Sequence, residues 1–327
     1  MIVTPERSEL GAPETRGRHP GRPNFNNPAV VVQSWYVAGR SEELSRGQVR
    51  SFDLGNRRIA IYRDTAGGIH ALDARCPHLG ADLGHGRVVG DQLRCAFHGW
   101  RFGPDGTCSQ APGLADVPKR GVRHYPTQER WGLIWIFNGP RPLFALPDIP
   151  SGERLWRLRP PPQQINCHPH IVIANGLDAP HFEALHNMRV SAPPELVVEQ
   201  PYLITLKLRG KPRSRLLQYV TGSRSRDIVA DFTTIGSNLA WLTMLAPVQF
   251  HMLFSGRPMP GGGCHTQTVL FVPARSPLRM LQAVAVIAVI LHDDRRILDT
   301  LAFSPGFTEN DIGLKTFAQI VDAMETW

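Results

Sequence analysis

The sequence predicts an α+β protein built in two parts. Three observations carry this reading. Residues 30–145 contain short alternating apolar and polar segments bracketed by turn residues, the pattern of half-buried antiparallel strands. Beyond residue 146, longer strand-like segments come first and helix-like ones last, which is the order of an α+β layer with one antiparallel sheet. Between the two lie Pro142, Pro147, Pro150 and Pro160–Pro162, a stretch that neither strand nor helix tolerates well, and the boundary is placed there.

Taken in order, residues 1–29 are rich in Pro, Gly and Arg and poor in apolar side chains. They are expected to form a disordered tail, with order beginning near Val30. VVVQSWYVAGRSEEL reads as a strand running into a polar turn. VRSFDL, RRIAIYRD and GIHALDA follow, separated by Gly55-Asn56 and Gly67-Gly68. GPDGTC is a hairpin turn, and VRHYPTQERWGLIWIFNG reads as two strands with a turn near Gln128–Arg130. In the second part, QQINCHPHIVIA reads as a strand and Gly176–Asn187 as a helix. YLITLKLRG, SRLLQYVTG, DIVADFTTIG, LAWLTMLAP, VQFHMLFSG and HTQTVLFVP read as strands, and the chain from Pro277 to Trp327 as helical.

Composition narrows the function classes. The 327 residues are 42% hydrophobic, ordinary for a chain that buries a full core. The formal charge is +8, from 36 basic and 28 acidic residues, but it is dispersed and no nucleic-acid-reading motif accompanies it, so no nucleic-acid partner is expected. Its densest run is Lys207, Arg209, Lys211, Arg213, Arg215, Arg224 and Arg226, with no acid before Asp227. This reads as the solvated face of a hairpin, with a docking patch for an acidic redox protein as the alternative. Five scattered Cys and a beginning without an apolar core segment lead to the expectation of a reducing, cytoplasmic setting. The longest apolar run, Met280–Leu291, is too short to cross a membrane.

The chemistry is concentrated in CPHLGADLGHGRVVGDQLRCAFH. It holds Cys76 and His78, then Cys95 and His98, with sixteen residues between the pairs. Two thiolates and two imidazoles suit either a structural zinc or a Rieske cluster, in which two Cys hold one iron and two His the other. Zinc fingers pair like with like, whereas each pair here is one Cys and one His, so two similar loops can grip a binuclear cluster from opposite sides. Gly80, Gly84, Gly86 and Gly99 leave room for backbone close to the sulfurs.

These residues, with GWRFGPDGTC after them, resemble the Rieske domain of Rieske non-haem iron oxygenases. HLGADL is similar to the branch that contains ketosteroid ring hydroxylases made of alpha subunits only. Ala96 stands where that family often has Pro. The resemblance implies an all-β Rieske domain at 30–145 and a helix-grip (START-like) catalytic domain at 146–327.

A second constellation lies in ANGLDAPHFEALHN: Asn175, Asp178, His181 and His186. Their N-x2-D-x2-H-x4-H spacing resembles the mononuclear iron motif of the same family. Two imidazoles and a carboxylate on one face of Fe(II) leave positions open for O2 and substrate. Residues five apart on a regular helix lie about 140° apart around its axis. His181 and His186 therefore require a π-type bulge or an unwinding between them. For the carboxylate, LHDDRRILD offers Asp293, Asp294 and Asp299. The family's E-x-D element selects Asp294, although His292 and Asp299 replace the usual Glu flanks.

The resemblance implies further roles. Asp178, with Asn175 beside it, is the catalytic relay, joining a mononuclear-site His to a cluster His of the neighbouring subunit in a homotrimer. Trp100 is a candidate packing residue at that interface. Electrons come ultimately from NAD(P)H through a separate ferredoxin or flavin reductase, since no nucleotide or flavin motif is visible. The implied reaction is O2-dependent oxidation of a bulky hydrophobic, polycyclic substrate by hydroxylation, demethylation, desaturation or cyclisation. Trp241, Met244, Phe250 and Met252 are candidates for its pocket, with core packing the more ordinary role. The rival class is a non-catalytic Rieske electron carrier with an appended binding domain. It needs Cys76 to His98 but neither of the later motifs. His168 and His170 are read as structural residues on a strand.

Overall fold

The structure is a computed structural model that describes residues 23–149, 154–224, 226–274 and 276–327. Eleven strands make up the N-terminal part: β1 (Trp35–Arg40), β2 (Val49–Leu54), β3 (Arg57–Arg63), β4 (Ile69–Asp73), β5 (Arg87–Val89), β6 (Gln92–Arg94), β7 (Arg101–Phe102), β8 (Cys108–Gln110), β9 (His124–Tyr125), β10 (Thr127–Arg130) and β11 (Leu133–Phe137). They form three small sheets, in the orders β1-β11-β10, β2-β3-β4-β9 and β5-β6-β7-β8. The segment read as two strands is three: Pro126 separates β9, which pairs with β4, from β10, and the turn between β10 and β11 falls later than expected. Trp131 and Gly132 take positive φ (57° and 74°) and form the reversal between β10 and β11. Short antiparallel hairpins of this kind hold loops in place, and the β5-β6-β7-β8 sheet carries the second cluster loop between β6 and β7.

The C-terminal part is a nine-stranded antiparallel sheet with five helices. Its strands are β12 (Leu155–Leu158), β13 (Gln163–Ile165), β14 (Met188–Val190), β15 (Glu195–Gln200), β16 (Leu203–Pro212), β17 (Ile228–Ile235), β18 (Leu239–Ala246), β19 (Phe250–Pro258) and β20 (Cys264–Pro273). The helices are α1 (Pro169–Ala174), α2 (Ala179–Ala184), α3 (Arg215–Val220), α4 (Pro277–Leu298) and α5 (Ile312–Ala323).

Side-chain alternation explains how the sheet divides its faces. Leu239, Trp241, Leu253, Val269 and Phe271 point one way and pack on Trp35, Trp131, Trp135 and Phe137 of the N-terminal sheet. Met244, Met252, Leu270 and Val272 point the other way, toward Ala283 and Ile287 of α4. Strand β11 is buried throughout and does the same on a smaller scale, with Leu133, Trp135 and Phe137 in this shared core and Ile134 and Ile136 in a second core with Phe52, Leu54, Ile59 and Ile61 of β2 and β3. The two parts thus meet through an apolar core. Phe144 and Leu146, at the expected boundary, are part of it.

Several expectations differ from the structure. Order begins before Val30: Phe25 is buried against Phe317 of α5, and Asn24 donates to the carbonyls of Val321 and Met324. The expected tail therefore holds structure from residue 23, because its one large aromatic side chain gains a core site; residues 1–22 lie outside the described residues. HPHIVIA is the helix α1 and not a strand. Pro169 sits in its first turn, His168 caps it by accepting from the His170 N–H, and the β-branched run is buried on all sides. RLLQYV is likewise the helix α3. Residues Met324–Trp327 return to the N-terminal part. Gln33 N donates to the Glu325 carbonyl at 2.7 Å, Thr326 bridges to Val32, and Trp327 packs edge-on against Tyr125 with Arg123 over its ring.

The basic run behaves as a solvated face. Lys207 and Arg209 alternate with buried Leu206 and Leu208 along β16; Lys207 pairs with Glu195 at 3.2 Å and Lys211 with Asp227 at 3.9 Å. Among the described residues, no helix is long and apolar enough to cross a membrane.

Candidate metal centres and their cavity

The two Cys–His loops share one hydrogen-bond frame. In the first, Gly80 N donates to the Cys76 carbonyl (2.8 Å) and Cys76 N to the Ala81 carbonyl (2.9 Å). In the second, Gly99 N donates to the Cys95 carbonyl (3.2 Å) and Cys95 N to the Trp100 carbonyl (2.8 Å). Each loop thus closes four and five residues after its Cys. Gly80 and Gly99 occupy the matching left-handed positions, φ 78° and 74°, which a Cβ would strain. Within equal frames the His stands two residues after Cys76 but three after Cys95, a difference that the spacing alone does not interpret.

The four side chains converge. Cys76 and Cys95 are 3% and 2% exposed, and the His78 and His98 ring centroids are 4.4 Å apart. Burial pushes the Cys76 thiol up to about 11, the neighbouring Cys95 sulfur adds to this, and the His78 backbone N–H opposes it. His78 Nδ1 is buried with no hydrogen-bond partner. Two buried sulfurs and an orphaned buried imidazole nitrogen fit a group that supplies positive charge. Trp100 is 4% exposed and stacks on His78 with centroids 4.9 Å apart and planes 3° apart. It supports the ligand ring from inside the chain and does not stand at the surface as an interface residue. Leu79 and Phe97, beside the two His, are 65% and 63% exposed.

Beneath this lies a network that the sequence reading missed. The Asp82 carboxylate accepts from Ser51 Oγ (2.6 Å), Gly84 N (2.8 Å) and Arg58 Nε (3.0 Å). Burial disfavours its charge, but these donors outweigh burial and hold its pKa below the ordinary carboxylate value. The S-x6-R spacing across a hairpin, with an Asp in the loop, is too common a pattern to have pointed to it.

In the second centre, the chain solves the five-residue problem by leaving the helix. Strand-like backbone at Asp178 starts α2, which ends at Ala184; Leu185 N closes onto the His181 carbonyl at 2.7 Å, and Asn187 (φ 50°) turns the chain into β14. His186 therefore sits beyond the helix and swings back to His181, with ring centroids 5.0 Å apart. The expected unwinding is present, without a π-type bulge. Asp294 arrives from α4, seven residues after buried Ile287 and so on the same inward face. His186 Nε2 and His181 Nε2 lie 3.0 Å and 3.7 Å from Asp294 Oδ1.

Among the described residues, His181, His186 and Asp294 are the set whose ligand atoms all lie within 4.8 Å of one another. Asp294 Oδ1 and both His186 nitrogens are buried and lack hydrogen-bond geometry despite the short approach. Atoms that converge without bonding to one another are arranged for a common partner, and two imidazoles with one carboxylate fit Fe(II) with open positions. The His181 ring is oriented by its other nitrogen: Nδ1 donates to the Asp178 carbonyl at 2.6 Å, leaving Nε2 as the free lone pair. Burial holds the His181 pKa below its usual value, so the ring is neutral, as a ligand must be.

Asp178 has Oδ1 buried with no partner, and burial raises its pKa. Asn175 opens the short turn before it, accepting from Asp178 N at 3.2 Å, and lines the cavity. Asp299 caps and pairs, accepting from Asn166 N and from Arg295 Nε, each at 3.1 Å. Asp293 differs from expectation: it is half-buried on the cavity wall and not turned to solvent or to a basic neighbour.

The cavity lies between the large sheet and α4. Its walls are apolar, from Leu206, Ala230, Phe232, Met244, Met252 and Val286, and the two His and Asp294 stand at one end. Of the four candidate pocket residues, Met244 and Met252 line it. Trp241 lies in the core between the two parts, and Phe250 is buried beneath α4. His170 is fully buried and held neutral, stacking on Phe25 and accepting from Asn26 N, a structural role.

Comparison with known proteins bears on the Rieske domain and on the fold. The Rieske [2Fe-2S] domain family matches residues 34–126. A 4beta-methylsterol monooxygenase of Methylococcus capsulatus is 36% identical over 177 residues, covering 51% of this chain and 48% of that protein. The oxygenase component of a 3-ketosteroid-9-alpha-monooxygenase of Mycolicibacterium smegmatis is 32% identical over 170 residues, 49% of this chain and 44% of that one. The chain thus spans about half the length of the curated relatives it matches. Dicamba monooxygenase bound to 3,6-dichlorosalicylic acid superposes with a TM-score of 0.68 at 20% identity, covering 89% of this chain and 97% of that one. Residues 34–126 are a Rieske [2Fe-2S] domain, and the chain that carries them has the fold of a Rieske oxygenase.

Proposed function

We propose that this chain is the terminal oxygenase of a Rieske-type system. It takes electrons from a ferredoxin or flavin reductase, ultimately from NAD(P)H, and uses O2 to oxidise a bulky, apolar substrate. The observation that carries the reading is the convergence of His181, His186 and Asp294 at the end of an apolar cavity, in a chain that also has a Rieske domain. An electron carrier would have no use for that triad. Cys76, His78, Cys95 and His98 would hold the cluster, and the triad would hold a mononuclear Fe(II). When bound, these groups supply electron transfer and O2 activation.

The remaining residues position and exclude. The Asp178 carbonyl fixes the His181 tautomer, Trp100 fixes His78, and Phe182 packs on the His181 ring (centroids 4.2 Å) and shields it from water. The unpartnered Asp178 Oδ1 supports a relay role, accepting from a cluster His of a neighbouring subunit in a homotrimer. Apolar walls, and relatives named for sterol and ketosteroid oxidation, support a polycyclic substrate. The five unpaired cysteines support a reducing, cytoplasmic setting.

The test is iron per chain. The oxygenase takes up three irons, of which mutation of His181 and His186 removes one while the Rieske spectrum persists. Two irons, with no change in the double variant, would establish the carrier.

A further inference from the structure

The metal-bearing cavity has a neighbour. A second cavity lies on the far side of the seam between β13 and α4, bounded by Leu158, Ile287, Ala288 and His292. The two share five wall residues: Pro160, Gln163, Thr268, Leu291 and Arg295. At this shared boundary β13 is three residues long and pairs with β20. The dividing contact is light. Arg295 Nη1 reaches Gln163 Oε1 at 3.4 Å, and Arg295 Nε holds Asp299 at 3.1 Å with its side chain 44% exposed. Asp299 in turn accepts from Asn166 N, which ties the latch to the end of β13.

The surface outside the seam is apolar. Helix α4 is nearly apolar around its whole circumference from Met280 to Leu291, yet only one face is packed. Leu278 (65%), Leu281 (62%) and Val284 (40%) stay exposed, and Val284 also lines the second cavity. A helix apolar on all sides is ordinarily buried. Here its outer stripe leads to an opening, which gives a reason for an otherwise costly exposure.

We propose that an apolar substrate enters the metal cavity through the seam between β13 and α4, by way of the second cavity, and that the Gln163–Arg295 contact is the latch on this entry. Long, solvent-exposed polar contacts break readily, whereas the sheet wall of the metal cavity is tied by backbone pairing of β16, β17, β18, β19 and β20. Opening needs Arg295 to turn toward solvent while keeping Asp299, and needs no strand to leave the sheet. The proposal rests on the reading of the cavity as the substrate site.

Thiol labelling in the full-length holoprotein tests it without turnover. Met244→Cys places a thiol on the inner cavity wall, and the probe is N-phenylmaleimide, small, uncharged and apolar. Mass spectrometry identifies the labelled site, and Rieske absorbance checks folding. On this background Ala288→Trp, which fills the outer cavity, should slow labelling at least tenfold. Arg295→Ala and Gln163→Ala should each speed it severalfold. An unchanged rate in Ala288→Trp overturns the proposal. Where that variant is not recovered folded, unchanged rates in both latch variants overturn it equally. The iron count stands apart from all three rates, so failure of the entry route and failure of the oxygenase reading are told apart.

Discussion

Replacing Asp294 by Ala separates metal binding from folding, with opposite signs for the two. In the metal-loaded protein Asp294 supplies the only anionic oxygen of the triad, so its loss should weaken Fe(II) binding at least as much as loss of an outer partner of a metal ligand, about 100-fold or more. At a free Fe(II) concentration 100 times the wild-type Kd, wild type gains about 2.7 kcal/mol of stability from the metal, and the variant, then only half-saturated, about 0.4 kcal/mol. For a chain of this length that is a metal-dependent Tm rise of roughly 4 °C against less than about 1 °C. Without the metal the sign reverses. Asp294 is 15% exposed, and its Oδ1 is buried beside two imidazoles without a hydrogen bond. Removing an unsatisfied buried oxygen relieves about 1–3 kcal/mol of desolvation, which offsets the packing lost with the side chain. The metal-free variant should therefore melt no lower than metal-free wild type. Anaerobic scanning fluorimetry with and without Fe(II), beside Rieske absorbance as an internal reference, reads both effects. Asp293→Ala should behave as wild type in both. If Asp293→Ala is the variant that loses the metal-dependent rise, or Asp294→Ala keeps it in full, the ligand assignment is wrong.

Three further outcomes follow from the same geometry. Cys76→Ser should abolish the Rieske absorbance and the EPR signal of the reduced cluster; retention of both with full iron would reassign the ligand. Asp178→Asn should keep the iron content and the Rieske absorbance while losing most turnover, and turnover at the wild-type rate under equal reductant supply would remove the relay role. Asp82→Asn should cost about 1–3 kcal/mol at neutral pH by weakening three donors to a charged acceptor. Because the folded pKa of Asp82 is depressed, its contribution is complete above the unfolded value of about 3.9 and is lost as pH falls through the folded value. Urea midpoints of variant and wild type should accordingly converge in strong acid; a gap independent of pH would assign the effect to packing.

The Rieske domain was more legible in the sequence than the path of the chain. Mixed Cys–His pairs have few chemical uses, so Cys76 to His98 pointed to the domain that residues 34–126 match, and the N-x2-D-x2-H-x4-H run pointed to side chains of which His181 and His186 do meet Asp294 in space. The helical angle between His181 and His186 even required a break in the helix, which the structure supplies at Leu185. Helix α1 was not legible, because Ile171, Val172 and Ile173 favour strands locally and only their burial on every side overrides that preference. Phe25 looked like part of a polar tail, since a single aromatic side chain carries no periodicity. Asp293 was misplaced because an angle of about 100° from Asp294 still lies within a wide cavity wall.

The return of Met324–Trp327 to the N-terminal part has a mechanical consequence. Trp327 is clamped between Tyr125 and Arg123, two residues from the β9–β10 corner, while α5 just before it abuts the turn at Leu177, where a Cβ on Gly313 would lie 2.2 Å from the Leu177 carbonyl. This tether, added to the apolar seam, fastens the two parts at a second place. In the proposed oxygenase, this second fastening favours an approach of cluster to mononuclear centre by docking of whole bodies over bending within one. Shortening the chain by its last four residues would remove the contacts with Gln33, Tyr125 and Arg123, so electron-transfer rates should become sensitive to solvent viscosity in the shortened chain and stay indifferent to it in the intact one.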